Sequence, residues 1–377
     1  MTTTSTATTD SHNPAIDLLR ASVTLAVVCH HAVLAYCSFS RFDGHHILLS
    51  TAPVVDPQRW VGFDRLVALN DTYFMALMFL VSGLFVLPSL RRKGYRAYLL
   101  DRALRLGVPF VACVTLVMPV AYYPAAREAG YHGAFPAFWP ASFTDFGWPA
   151  GPAWFLWLLL LFDACVVCLG LALPVAVRAL AACPDILLTR PVASAVAILV
   201  GAILLYCPAA ILFGETRWWH VGPFFVQESR VGLYAAAFAL GCAAGAGGIA
   251  HPLFRRDGPV ARGWRAALVF ALASFAGLRA VGSPALFAAC CVGFCLGITG
   301  LFLRTITILP PWIGRGTRLA YGVYLLHDPV VTWCQYVLLA TRWGAIPKAV
   351  CVIGVTLSVC CGVTRLARCS GVVWRVL

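Results

Sequence analysis

Two ionisable side chains lie in an otherwise apolar segment near the start of the chain, LLRASVTLAVVCHHAVLAY at residues 18–36. Arg20 and His31 are eleven residues apart, which is about 1100° of helical rotation, or three turns and roughly 20°. A helix therefore places both on one face, with about 16 Å between them along its axis. His30 points about 100° away from His31 and is predicted to pack elsewhere. Ionisable groups at membrane depth usually face a cavity or pathway, and histidine suits proton transfer near neutral pH.

The same pattern has a second interpretation. Arg20 could snorkel to the membrane interface, and His31 could be a buried histidine bonded to a neighbouring helix. Periodicity alone does not choose between the two. If Arg20 lies near the cytoplasmic boundary, His31 lies near the middle of a hydrocarbon core about 30 Å thick.

The composition indicates the kind of protein that must position this pair. Of the 377 residues, 61% are hydrophobic and only 11% are charged, against about 25% charged in soluble domains. This is the composition of an all-α polytopic membrane protein. The net charge of +13 does not indicate a nucleic-acid partner, because the basic residues lie in short loops between apolar runs and follow the pattern of topology signals.

About ten apolar runs are long enough to cross a bilayer, which takes about 20 residues each. They are 15–37, 66–89, 104–124, 152–174, 192–213, 229–250, 264–281, 285–303, 319–340 and 347–366. Only Gly282, Ser283 and Pro284 separate the seventh run from the eighth, which predicts a tight helical hairpin. With ten helices both termini share a side, and the loops on that side carry most of the 28 basic residues. Both termini are therefore predicted to be cytoplasmic.

The remaining sequence features predict the domain organisation and the roles of the cysteines and loop histidines. Residues 1–12 form a polar, Thr-rich stretch without signal-peptide character, predicted to be a disordered tail. Residues 13–377 are predicted to form a single integral-membrane domain. Most of the 16 cysteines lie in apolar runs, where they act as small hydrophobes. Histidines in the loops at His45, His46 and His132 lack partners at ligand spacing, so no metal site is predicted.

Five segments of the chain resemble acyltransferase family 3, a family of multipass membrane O-acyltransferases, and within it the glucan succinyltransferase branch. They occur in the expected order between residue 15 and about residue 340. They are IDLLRASVTLAVVCHHAVLAY, YFMALMFLVSGLFVLPSLRRKGYRAYLLDRALRLGVPF, GPAWFLWLLLLFD, GPFFVQESRVGLYAAAFALG and AYGVYLLHDPVV.

The resemblance implies an enzyme of a bacterial cytoplasmic (inner) membrane. It would move an acetyl or succinyl group from cytoplasmic acyl-coenzyme A, bound as a substrate with no resident cofactor, to a hydroxyl of an extracytoplasmic glycan or related envelope acceptor. By resemblance, His31 is the catalytic group, and Arg20, Arg102 and Arg105 bind the donor. Candidates for the cavity or the acceptor site are Ser82, Trp154, Tyr324 and His327.

The residue types are compatible with that implication. Arg102, Arg105 and the arginines at 91, 92 and 96 form a cationic rim suited to phosphates, although positive-inside anchoring also accounts for such a cluster. Neutral His31 could take the proton of the acceptor hydroxyl, or it could be acylated first. The sequence does not choose between these routes.

Two other classes of function compete with the acyltransferase. A secondary transporter of a small anionic solute would be expected to show intramembrane carboxylate relays and inverted repeats. No repeat is found, and Asp163 is the one carboxylate well inside a predicted span. A non-catalytic scaffold in a polysaccharide assembly would predict that His31 is dispensable.

Overall fold

The computed structural model describes residues 13–369, and the predicted tail at residues 1–12 lies outside the described part. The helices are α1 Pro14–Leu34, α2 Val61–Asp71, α3 Phe74–Gly83, α4 Val86–Lys93, α5 Tyr95–Arg102, α6 Val108–Ala112, α7 Met118–Glu128, α8 Phe135–Thr144, α9 Trp154–Ala172, α10 Pro174–Ala179, α11 Cys183–Thr189, α12 Pro191–Phe213, α13 Val231–Gly245, α14 Pro259–Val281, α15 Pro284–Thr305, α16 Pro311–Thr317, α17 Ala320–Leu338 and α18 Ala345–Cys369. The strands are β1 Trp218–Val221 and β2 Phe224–Gln227, which form an antiparallel hairpin between α12 and α13.

Eight helical spans among residues 13–369 are long and apolar enough to cross a membrane, so the chain is an integral membrane protein. They coincide with eight of the ten predicted runs. The other two runs fold as α13 and α17. The 15 residues of α13 extend only about 22 Å, and α17 carries His327, Asp328 and Gln335 along its length. The count of ten crossings and the cytoplasmic placement of both termini remain predictions.

Local sequence sets several helix boundaries. The side chain of Asn13 accepts hydrogen bonds from the backbone N–H groups of Ala15 and Ile16, and Pro14 is the first residue of α1, as expected for an N-cap followed by proline. The predicted hairpin between the seventh and eighth runs is confirmed. Gly282 ends α14 with φ of +69°, and Pro284 begins α15.

Close helix packing builds the core around α1, which contacts α3, α15, α17 and α18. Helices α3 and α13 approach through glycines. A Cβ on Gly83 would collide with the backbone at Phe238 and Gly241, and a Cβ on Gly245 would collide with Leu84. Small residues allow such close approach in membrane proteins. Gly83 is therefore a packing residue that lets the end of α3 lie against α13.

Two π-helical turns interrupt the span from α5 to α7, at Ala103–Gly107 and Cys113–Val117. A π turn leaves a backbone carbonyl without its regular helical partner, and side chains from other elements donate to these carbonyls. The Tyr321 hydroxyl donates to the carbonyl of Arg105, and Trp139 Nε1 donates to that of Thr115 at 2.7 Å. The first π turn thereby contacts α17 at the level of Arg105.

Candidate active site

A cavity of about 410 Å³ opens between α1, the end of α3, α4, α5, the first half of α9 and the start of α17. Five of the residues predicted from the sequence line it together: Arg20, Ser82, Arg102, Arg105 and Tyr324. Arg92 and Lys93 add further positive charge, and Asp101 is its one acidic lining residue. The cavity is therefore strongly cationic.

The basic lining residues lie toward the helix starts, and Phe155 and Tyr324 line the cavity further along. On α1 the lining residues are Arg20, Val23 and Thr24, and on α17 they are Ala320, Tyr321 and Tyr324. The cavity thus begins near the starts of both helices and extends toward the Tyr324 ring, which contacts Phe155 at 5.8 Å between ring centroids. A ligand with an anionic head and a thin apolar arm matches this division.

Buried groups fix the side chain of Arg102. Its Nε lies 3.1 Å from the Tyr98 hydroxyl and 3.4 Å from Asp163 Oδ2, and the Tyr98 hydroxyl also donates to Asp163. The Asp163 side chain is 1% exposed, so it needs the positive charge of Arg102 as compensation. Arg102 therefore has a structural role in addition to its place in the cavity wall.

Arg105 is held more loosely, at the rim. Its Nε lies 3.2 Å from Asp101 Oδ1 and the side chain is more than half exposed. Lys93 Nζ lies 2.9 Å from the other carboxylate oxygen of Asp101. Surface pairs of this kind contribute little to stability, so these cations can reorient toward an anionic ligand at small cost.

His31 lies beyond the cavity, in the last turn of α1. It continues the α1 face that carries Arg20 and Thr24, because seven residues from Thr24 make about two turns. Arg20 lies in the second turn of α1, and His31 falls close to the helix end opposite the cationic rim. The expected mid-membrane depth of His31 stays a prediction.

Helix α17 surrounds His31 with polar groups. His31 Nδ1 lies 3.9 Å from Asp328 Oδ1, and the rings of His31 and His327 are 5.2 Å apart between centroids. Gln335 Nε2 donates to the carbonyls of His31 and Ala32, both at 3.1 Å. Asp328 is 5% exposed and His31 is 25% exposed, so His31 is the member of this group that a substrate can reach.

The cavity and the histidine group are adjacent. Tyr324 lines the cavity, its ring lies 5.9 Å from that of His327, and its carbonyl lies 2.7 Å from His327 Nδ1. His327 is fully buried in the protein interior. Tyr324 and His327 therefore connect the deep end of the cavity to His31.

The structure does not bring every predicted residue into this arrangement. Trp154 packs against Tyr234, with ring centroids 5.8 Å apart, and against Trp218 of the β-hairpin, outside the cavity lining. As predicted, His30 packs elsewhere: it is buried and stacks on Phe74 at 4.9 Å.

The sequence analysis did not single out Asp328, which the structure places beside His31. No local pattern links Asp328 to His31, since the two lie on helices at opposite ends of the chain. Gly151 leaves space beside the Asp328 carboxylate because it has no side chain. It has φ of +43°, and a Cβ there would lie 3.3 Å from Asp328 Oδ2 and 2.6 Å from Met118 Sδ.

The fold defines an integral membrane protein with a cationic cavity, and comparison identifies the family. Residues 13–365 match the model of acyltransferase family 3, described as an acyltransferase domain. The chain therefore belongs to acyltransferase family 3 and is a membrane acyltransferase. No curated protein and no solved structure matches the chain.

Proposed function

We propose that the protein transfers a short acyl group, acetyl or succinyl, from acyl-coenzyme A to a hydroxyl of a glycan or related envelope acceptor, with His31 as general base. One observation carries the proposal: Arg20, Arg102 and Arg105 line the same cavity as Tyr324. The ring of Tyr324 lies beside that of His327, and the ring of His327 lies beside that of His31.

The cavity suits the donor in both charge and shape. Coenzyme A has phosphates on a long, thin pantetheine arm, and arginine binds phosphate through paired hydrogen bonds. With the phosphates near Arg20 and Arg105, the arm follows the lining of Val23, Thr24 and Phe155 toward Tyr324. The thioester end of the arm then points along α1 toward His31.

The chemistry follows from the groups around His31. The imidazole takes the proton of the acceptor hydroxyl while the oxygen attacks the thioester carbonyl carbon. A C–O bond forms, the C–S bond breaks, and the proton passes to the departing coenzyme A thiolate. Asp328 orients the ring and stabilises the imidazolium that forms during the transfer. An acyl-His31 intermediate remains the alternative route.

The two substrates approach from different sides in this proposal. The cationic rim lies near the start of α1, and His31 lies in its last turn. An acceptor that reaches the partly exposed His31 from the opposite end would not pass the bound donor. On the loop charges, which place both termini in the cytoplasm, we propose that the donor is cytoplasmic, the acceptor is extracytoplasmic and the membrane is a bacterial inner membrane.

Two measurements test the proposal, the first on the purified protein in nanodiscs and the second in membranes. Coenzyme A binding is measured by calorimetry for wild type, Arg20→Gln and the matched control Arg178→Gln, an exposed arginine outside the cavity lining. Loss of a charged hydrogen bond should weaken binding by roughly 10- to 100-fold in Arg20→Gln, with no change in the control. Equal binding by wild type and Arg20→Gln would remove the cavity as donor site.

Transfer of label from acetyl- and succinyl-coenzyme A into envelope glycans is measured in membranes at equal protein level. His31→Ala should lower the rate by about 10²- to 10⁴-fold and leave coenzyme A binding intact. Unchanged labelling in His31→Ala would refute the assignment of His31. Trapping of labelled protein before acceptor is added would favour the acyl-histidine route.

A further inference from the structure

We infer that His31, His327 and Asp328 form a zinc-binding site, and that zinc bound there inhibits the transferase. Each residue offers one ligand atom, and these atoms lie within 4.8 Å of one another. The inhibitory part of the inference rests on the proposed function, whereas the binding part rests on the geometry alone.

The hydrogen bonds of His327 prepare it as a ligand. Its Nδ1 lies 2.7 Å from the carbonyl of Tyr324, and a carbonyl only accepts, so Nδ1 carries the proton. The other nitrogen, Nε2, therefore presents a lone pair. It is buried and has no hydrogen-bond partner within residues 13–369. Metal-binding histidines commonly donate their second nitrogen to a backbone carbonyl in this way.

The donor set suits zinc. Two imidazole nitrogens and one carboxylate oxygen, with a fourth position open, form a common arrangement for Zn²⁺. Ligands at about 2.1 Å from a tetrahedral ion lie roughly 3.4 Å apart. His31 Nδ1 and Asp328 Oδ1 are separated by 3.9 Å. The separations between the three ligand atoms, which are at most 4.8 Å, would have to shorten by about 0.5 to 1.4 Å to reach this value. Side-chain rotations of that size would close the site around an ion.

Burial and charge favour an ion at this place. Asp328 is 5% exposed, and apart from His31 and His327 its neighbours among residues 13–369 include the uncharged Gly151, Met118 and Tyr122. A buried carboxylate without a cationic partner is costly, and a divalent cation would compensate it. The quarter-exposed ring of His31 provides the entry.

Zinc and catalysis compete for the imidazole of His31. A neutral imidazole has one free nitrogen lone pair, so Zn²⁺ on Nδ1 leaves the ring proton on Nε2, and neither nitrogen can then take the proton of the acceptor hydroxyl. Zinc should therefore slow transfer without blocking coenzyme A from the cationic cavity, which lies beyond Tyr324.

The binding test uses Co²⁺ as a spectroscopic probe, because the chain has 16 cysteines that could bind zinc elsewhere. Purified full-length protein is titrated with Co²⁺, and the visible d–d bands are separated from the near-ultraviolet bands of thiolate ligation. Zn²⁺ is then added in competition. Variants are His31→Ala, His327→Gln and the nearly isosteric Asp328→Asn. The control is His220→Gln, on the β-hairpin.

The expected result is one Co²⁺ per chain with nitrogen and oxygen ligands, displaced by Zn²⁺. Affinity should fall about tenfold or more in each site variant and stay unchanged in His220→Gln. Wild-type transfer should be inhibited by zinc and restored by a chelator. Binding that Asp328→Asn and His327→Gln leave unchanged would overturn the site, and activity that requires zinc would overturn the inhibitory role. Metal binding is measured without acyl donor or acceptor. A failure of the zinc site is therefore distinguishable from a failure of the proposed transferase activity.

Discussion

Replacing Asp328 by asparagine tests how strongly its charge supports His31. At 3.9 Å, a full charge on each side chain gives about 4 kcal/mol of attraction at an effective dielectric constant of about 20. This attraction acts only when His31 becomes an imidazolium in the transition state. Its loss corresponds to roughly a 10³-fold lower turnover. Asparagine keeps the shape, so the fold and the donor cavity should be retained.

The assay is acyl transfer by the purified full-length protein, with kcat and the KM for the donor determined separately. We expect kcat to fall in Asp328→Asn and the donor KM to stay within a few-fold of wild type. Asp257→Asn, an exposed loop carboxylate, is the control and should retain full activity. A turnover of Asp328→Asn within about threefold of wild type, which is well under 1 kcal/mol, would refute electrostatic support of His31.

Two further substitutions test the supports of the site. Arg102→Met leaves Asp163 buried without its counterion and should lower the free energy of unfolding by about 3–5 kcal/mol. The double variant Arg102→Met/Asp163→Asn should recover part of this loss in thermal unfolding, and an equally stable Arg102→Met would contradict the structural role. Gly151→Ala forces a side chain into positive φ and against Asp328, which should cost on the order of 1–2 kcal/mol and lower kcat. Gly314→Ala, where a Cβ meets open space, is the control and should change neither quantity.

The helical positions were largely predictable, because apolar runs and caps are local features. Asn13 and Pro14 fix the start of α1, and Gly282 with Pro284 fixes the turn between α14 and α15. The interruptions were not predicted. The run at 66–89 is divided among α2, α3 and α4. The next span contains two π turns. The carbonyl of Arg105 in the first accepts a hydrogen bond from Tyr321, far along the chain, and that of Thr115 in the second accepts one from Trp139 of α8.

The functional residues divide in the same way. Five predicted residues, Arg20, Ser82, Arg102, Arg105 and Tyr324, share one cavity, and the family resemblance had already selected them. Packing decided whether each predicted side chain faces the cavity or contacts other side chains of the protein. Arg102 is bound to Tyr98 and Asp163 because α5 lies against α9, and Trp154 packs against Tyr234 rather than in the cavity wall.

By itself, the sequence determined that Arg20 and His31 share one face of the first helix, since helical periodicity acts over a few residues. It also determined that most of the chain is apolar enough for a membrane. Only the tertiary structure decided what His31 meets. Asp328, His327 and Gln335 reach it because α17 packs along α1. That contact depends on side-chain packing between distant segments, which no local pattern encodes.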